Sequence, residues 1–251
     1  MTVISESGTA TAAPAAANLS HHRIMLDSVN WKAILGAVKA GKTFRGLPVS
    51  LVAGYLDGPV SQWPDQAWVA LGTAGLSGRA LVGITVTGRG GEAARARVAD
   101  SEPGDMNPPS AAMWASGERA AGRWPVIYCS RSDKPHVIDR CSQRNMRPAR
   151  DYGLWIATLD GTFTDLDGTD LRTQPGVVAV QYLGAKAAGG DYDVSLVVSS
   201  AWRSAKPAQP APAPVPAWKT RALKEAKEIE VLTARLAARA NALTTLLDAR
   251  Q

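Results

Sequence analysis

Seven short apolar runs punctuate this 251-residue chain, near residues 49–56, 80–86, 96–101, 124–129, 153–158, 177–183 and 193–198. Helix-like segments at 65–71, 109–121 and 133–145 lie between several of them. Runs of that length, rich in Val, Ile, Leu and Ala, suit strands buried on both faces. Their alternation with helices predicts an α/β fold with a mainly parallel sheet. In barrels of this class the functional side chains stand at the C-terminal ends of the strands.

The ends of these runs carry acids. Asp100 and Glu102 close the third run, just before the break Pro103-Gly104. On a strand, the i, i+2 spacing puts both side chains on one face, about 7 Å apart along the backbone. Paired carboxylates are the equipment of glycoside hydrolysis; a loop acid beside a turn acid is the plain alternative. The first run ends in Asp57 and continues through Ser61, Gln62 and Trp63. Later runs hold Pro125 to Tyr128, Trp155 with Ala157, and Gln181-Tyr182, and the last begins at Asp193.

Taken in this order, the motifs resemble those of the glycoside hydrolase family 25 lysozymes and their reduced relatives in actinobacteria and actinobacteriophages. The resemblance covers roughly residues 47–203. It implies a reduced TIM-like β/α barrel of mainly parallel strands. Only about ten residues separate the Ile84 run from the Asp100 run, where the family has a further helix and strand. The expectation is therefore fewer than eight regular strand–helix units and an active-site wall opened by a missing strand. The resemblance makes Glu102 the acid that protonates the leaving oxygen and Asp100 the group that stabilises the cationic transition state or positions the substrate. Asp57 and Asp193 would complete an acidic cleft. Trp63, Tyr128, Trp155 and Tyr182 would contact the sugar. It implies no cofactor and no metal.

Outside that body the chain changes character. Residues 1–20 are rich in Ala, Ser and Thr and read as a flexible arm. Residues 24–40 could hold a short amphipathic helix with Ile24, Leu26, Trp31, Ile34 and Leu35 on its apolar face, which assigns residues 1–46 to an N-terminal arm. Residues 204–217 form a Pro/Ala linker, extended and semi-rigid. Residues 218–251 follow as a C-terminal helix. Ala222, Ile229, Leu236 and Leu243 fit heptad position a, and Leu232 and Leu246 fit d, while Glu225 and Arg239 interrupt the d row. The helix is either a short parallel coiled coil that joins copies of the chain or an amphipathic helix lying on another surface.

The formal net charge of +6 belongs to these ends. Residues 1–46 carry +3 and residues 203–251 carry +5, whereas residues 47–202 carry −2. No basic stripe with interleaved aromatics exists, which argues against a nucleic-acid groove. Cys129 and Cys141 lack metal-ligand spacing and read as buried free thiols, with a disulfide as the alternative. His21, His22 and His136 show no ligand spacing either. No apolar stretch reaches the roughly 18 residues of a bilayer span, and residues 1–20 lack the basic and apolar regions of a secretory signal.

Two nucleotide-like patterns lack their context. Gly36 to Thr43 matches a P-loop, but Gly46 and Pro48 follow too closely for the phosphate-holding helix. Gly88, Gly90 and Gly91 partly match a dinucleotide fingerprint, with no ribose-binding acid at the right distance, and read as a glycine-rich turn.

Two functional expectations follow from the resemblance and the termini. The first is a bacteriophage virion protein, assembled in the host cytoplasm and held to capsid or tail proteins by its terminal segments. Its lysozyme-like barrel is either active on peptidoglycan or inert. The second is a soluble, active N-acetylmuramidase that opens the host wall as an endolysin. Neither involves nucleic acid or a membrane as partner.

Overall fold

The structure, a computed structural model, describes residues 22–59, 61–76, 80–89, 95–198 and 202. The predicted runs form strands with ends shifted by one or two residues. These are β3 (Leu47–Tyr55), β4 (Leu81–Thr85), β5 (Val98–Ser101), β6 (Val126–Ser130), β7 (Gly153–Ala157), β8 (Val177–Leu183) and β9 (Asp193–Val197). An eighth barrel strand, β1 (Arg23–Asp27), precedes them, and β2 (Thr43–Phe44) makes only a hairpin with β3. The helices are α1 (Trp31–Lys39), α2 (Asp65–Thr73), α3 (Pro108–Ala120), α4 (Lys134–Ser142) and the single turn α5 (Ala185–Ala188). A 3-10 turn at Leu171–Thr173 stands between β7 and β8.

Each neighbour from β3 to β8 pairs in parallel, and β1 pairs in parallel with β3. Strand β9 runs antiparallel between β8 and β1 and completes the ring. The fold is thus a closed, mostly parallel eight-stranded α/β barrel. Regular strand–helix units are fewer than eight, as the sequence predicted. The wall is not open: Ile84 pairs directly with Val98, so β4 and β5 are neighbours without a gap. The eighth strand comes from residues expected to belong to a helical arm. The barrel accordingly begins at Arg23 rather than at 47.

Alternate side chains point to opposite sides of each strand. Met25, Leu51, Val82, Val98, Val126, Trp155 and Val197 fill the interior. Leu26, Val52, Ala99, Ile127, Ile156 and Leu196 face outward, in the same cluster as Ile34, Leu71, Ala111, Ala115 and Val137 of the helices. Asn107 caps α3 by accepting from the Ser110 N–H (3.0 Å), and Pro108 occupies the first helical position, where a missing N–H costs nothing.

The P-loop-like residues lie across the end of α1. Gly41 turns the chain with a φ of 61°, and the Lys42 ammonium donates to the Tyr192 hydroxyl (2.7 Å). Gly36 lies inside α1 and Thr43 begins β2, so no helix N-terminus follows the motif. Cys129 and Cys141 are both free and buried. Among the described residues no helix is long and apolar enough to cross a membrane. The expected arm at 1–20, the Pro/Ala linker and the coiled-coil-like helix lie outside the described residues.

Candidate active site

The parallel strands deliver their last residues to one end of the barrel. Asp27 closes β1, Tyr55 closes β3, Asp100 lies in β5 with Glu102 just after it, Tyr128 lies in β6 and Gln181 in β8. Because β9 is antiparallel, its first residue, Asp193, arrives at the same end, directly opposite Asp27 in the register. Asp100 stands opposite Tyr128 in the same way. A floor of interior apolar side chains underlies these groups.

Burial governs the chemistry here. Asp27 and Asp100 are 5% and 2% exposed, while Glu102 and Asp193 are half-buried. Loss of water disfavours the ionised carboxylate and is the largest influence on each of the four. It raises Asp27 well above the ordinary carboxylate range, helped by the charge on Asp193 and opposed by a hydrogen bond from Gln181. It pushes Asp100 up to about 8, with Glu102, Asp105 and Asp27 adding repulsion and the Tyr55 hydroxyl opposing. Glu102 is raised by burial against a hydrogen bond with Tyr128. Asp193 is raised although the Ala185 N–H donates to it.

A hydrogen-bond chain spans the site. The Tyr128 hydroxyl donates to Gln181 Oε1 (2.6 Å). Gln181 Nε2 donates to Asp27 Oδ2 (2.8 Å) and reaches Asp193 Oδ2 at 3.3 Å. Asp27 Oδ1 and Asp100 Oδ1 are buried without a hydrogen-bond partner among the described residues. No group of three or more His, Cys, Asp or Glu side chains is arranged to hold a metal ion among the described residues.

Of the four acids expected in the site, the structure brings Asp100, Glu102 and Asp193 together. Asp57 stands apart, two residues beyond the end of β3. It accepts from Thr85 Oγ1 (2.6 Å), the Val86 N–H (2.7 Å) and Thr87 Oγ1 (2.7 Å), so it staples the end of β3 to the end of β4. Asp27, which the sequence reading missed, occupies the barrel mouth in its stead.

The expected sugar-contacting aromatics are corrected as well. Trp63 is 3% exposed, packed on Trp68, and its indole N–H donates to the Ser28 carbonyl (2.9 Å). A Cβ at Gly54 would collide with the Trp63 ring, which is why that strand position is glycine. Trp155 is 1% exposed and donates to Ser195 Oγ (2.9 Å). Tyr182 packs on Phe163 beneath the Arg45 guanidinium. These three rings are core, because a barrel of this size needs large side chains to fill both its layers. Tyr128 is also buried, with its ring against Trp155, but its hydroxyl reaches the acid cluster.

A cleft of about 450 Å³ opens between the segment after β4 and the start of α3, lined by Val86, Thr87, Asp105, Met106, Asn107 and Trp114 among others. Asp105 belongs to both places: it lines the cleft, and its charge acts on Asp100 and Glu102.

No family model matches the chain, and no curated protein matches it. Among solved structures it is similar to an uncharacterised B. stearothermophilus protein, at 16% identity and a TM-score of 0.47, over 70% of this chain and 95% of that one. It is also similar to a family 25 glycosyl hydrolase from Bacillus anthracis, at 10% identity and a TM-score of 0.42, over 70% of this chain and 89% of that one. What the acids of this chain can do follows from their own surroundings.

Proposed function

We propose that this barrel is a glycan-cleaving module acting on peptidoglycan, at the β-1,4 bond that follows N-acetylmuramic acid. The observation that carries the reading is the Asp100–Glu102 pair, seated at the mouth of a closed barrel and flanked by carboxylates and phenols. The charges that act on Asp100 and Glu102 are all negative. Two such acids cannot both ionise cheaply, so the pair retains a proton near neutral pH. Glu102, nearer the turn and the less buried of the two, delivers that proton to the leaving oxygen. Asp100, one pleat deeper, positions the substrate or faces the cationic sugar once the charge has redistributed. The cleft beside Asp105 falls within the 300–1,000 Å³ span typical of small-molecule sites. Asp105 in its wall is the residue through which that cleft meets the pair, since its charge acts on Asp100 and Glu102.

Carriage on a virion is part of the same proposal. It is supported by the basic charge of the ends and by the Pro/Ala linker. In that reading residues 1–21 and 203–251 meet capsid or tail proteins, and the C-terminal heptads join copies of the chain.

The test is release of reducing ends from purified peptidoglycan. Loss of a general acid typically costs about 10²–10⁴-fold, so Glu102→Gln is expected to lose cleavage by that factor while its circular dichroism stays unchanged. Equal, non-zero rates for wild type and Glu102→Gln would remove Glu102 from the mechanism. No release by the folded wild type from any of several wall types would leave an inert barrel.

A further inference from the structure

We propose that a cavity between the first turn of α2 and the segment before β5 is a second glycan-binding site, in which the Trp68 ring receives the flat face of an amino sugar. The inference takes its choice of ligand from the glycan-cleaving reading, but the site itself needs no cleavage. The cavity measures about 390 Å³ and is lined by Gln62, Trp63, Asp65, Trp68 and Arg95 among others. It shares no lining residue with the cleft at Asp105 and none with the acid cluster.

The aromatic platform is built from the helix upward. Helix α2 buries Ala67 and Leu71, which lie one turn apart on its inner stripe. Trp68 stands at the flank of that stripe, so its ring is only partly buried and also forms part of the cavity wall. Its tilt is set by Trp63, whose ring lies 4.9 Å away, centre to centre, at an angle of 42°. Trp63 is itself fixed: its indole N–H donates to the Ser28 carbonyl (2.9 Å), and its ring sits over Gly54, where any side chain would collide with it. A ligand therefore meets a ring already in place and does not have to order it.

A pyranose has two kinds of surface. Its ring C–H groups form an apolar face that packs on an aromatic ring, and its hydroxyl and acetamido groups need donors and acceptors around the edge. The cavity supplies both. Among the described residues no hydrogen bond or ion pair engages the Gln62 amide, the Asp65 carboxylate or the Trp68 indole N–H. The carboxylate accepts, the indole N–H donates and the amide does both. Arg95 adds a guanidinium to the same wall. A purely apolar ligand would leave these groups without partners, and a small anion would face the charge of Asp65. The volume lies near the lower end of the span for small-molecule sites, which suits a short stretch of a sugar chain and not a folded partner.

A second foothold suits a polymeric substrate. The wall glycan presents the same sugars many times over, so holding it at one site raises its effective concentration at the other. A site that contains none of the acids also keeps its grip on the wall after a bond at the mouth has been cut.

The experiment titrates the full chain with tri-N-acetylchitotriose, an amino-sugar chain without stem peptide, and follows the indole ¹⁵N–¹H resonances. The Trp68 signal is assigned by its loss in Trp68→Phe. It is expected to shift saturably, and to do so equally in Glu102→Gln, where the change lies at the mouth. Trp68→Ala is expected to weaken binding of the protein to purified peptidoglycan by about tenfold. Gln62→Ala combined with Asp65→Ala alters two exposed positions and is expected to weaken it as well, which decides the matter should Trp68→Ala fail to fold. A Trp68 signal unmoved by saturating trisaccharide, or unchanged wall binding by the double variant, would overturn the site. A shift produced by isolated stem peptide and not by the trisaccharide would overturn the ligand class. A Trp68 shift in a folded protein that releases no reducing ends would overturn the glycan-cleaving reading and leave the second site standing; release of reducing ends with Trp68 unmoved would do the reverse.

Discussion

Asp57 and Asp27 are both aspartates at the end of a strand, and their neighbours give them different work. Asp57 faces two threonine hydroxyls and a backbone N–H, all within 2.7 Å, and these three donors satisfy a carboxylate outright. Asp27 faces one amide and a second acid, with its other oxygen unpartnered among the described residues. A carboxylate with three donors is held as a structural staple; a buried one short of donors holds its proton more tightly. Asp57→Ala is therefore expected to lower stability by about 1–3 kcal/mol, the cost of stranding donors that served a charged group. It should leave the Asp100–Glu102 pair in place. Denaturant unfolding measures the loss, and an unchanged midpoint would show that the staple is idle. The sequence could not separate the two roles, since the donors to Asp57 lie 28–30 residues further along the chain.

At the scale of elements, most of the sheet was legible because its strands are short apolar runs with clear breaks. β8 and β7 fall almost where the residues predict, and Asn107 followed by Pro108 marks the start of α3. β1 was not legible. Its five residues, Arg23–Asp27, are buried over the last four, so they show no period-two alternation. Next to Trp31, Ile34 and Leu35 they read as one amphipathic helix, and periodicity alone cannot separate the two. A stop signal was nonetheless present: Asn30 accepts from the Ala33 N–H (3.4 Å) as the cap of α1, so the helix starts at Trp31. Misplacing β1 also misassigned the site, because Asp27 travels with that strand and Asp57 was put in its place. The aromatics were misread for a related reason, since sequence does not say which layer of a barrel a Trp fills. Removing residues 1–46 takes away the strand that pairs with both β3 and β9. It exposes two unpaired edges. The shortened chain is expected to lose its near-ultraviolet circular dichroism and cooperative unfolding, and retention of both would mean the ring closes without β1.

For the whole molecule, the acid cluster opposes the fold that assembles it. Asp27, Asp100, Glu102 and Asp193 are all raised by burial, so the folded protein holds protons that the unfolded chain would release. Stability falls with pH wherever the native state binds more protons than the unfolded one. For Asp100 that window runs from its ordinary value of 3.8 up to about 8. Below it both states are protonated and the penalty vanishes; above it the full penalty applies. Asp160 and Asp170 act with the opposite sign, because Thr162 and Arg172 respectively hold them below the ordinary range. Their contribution is present above the unfolded value and is lost as pH falls from there through the lowered folded values. The two trends cross near the unfolded carboxylate range, so maximum stability is expected at mildly acidic pH, with a decline towards pH 8. A tenfold change in proton affinity between the folded and unfolded states is worth about 1.4 kcal/mol. Neighbouring acids share the charge, so the decline due to Asp100 is on the order of a few kcal/mol. Asp100→Asn removes the ionisation and keeps the size and shape of the side chain. Thermal unfolding at pH 5 and pH 8 should show wild type losing stability between the two and Asp100→Asn losing less, with the variant the more stable protein at pH 8. Parallel pH dependence in the two proteins would mean that the charge on Asp100 is neutralised by something other than a proton.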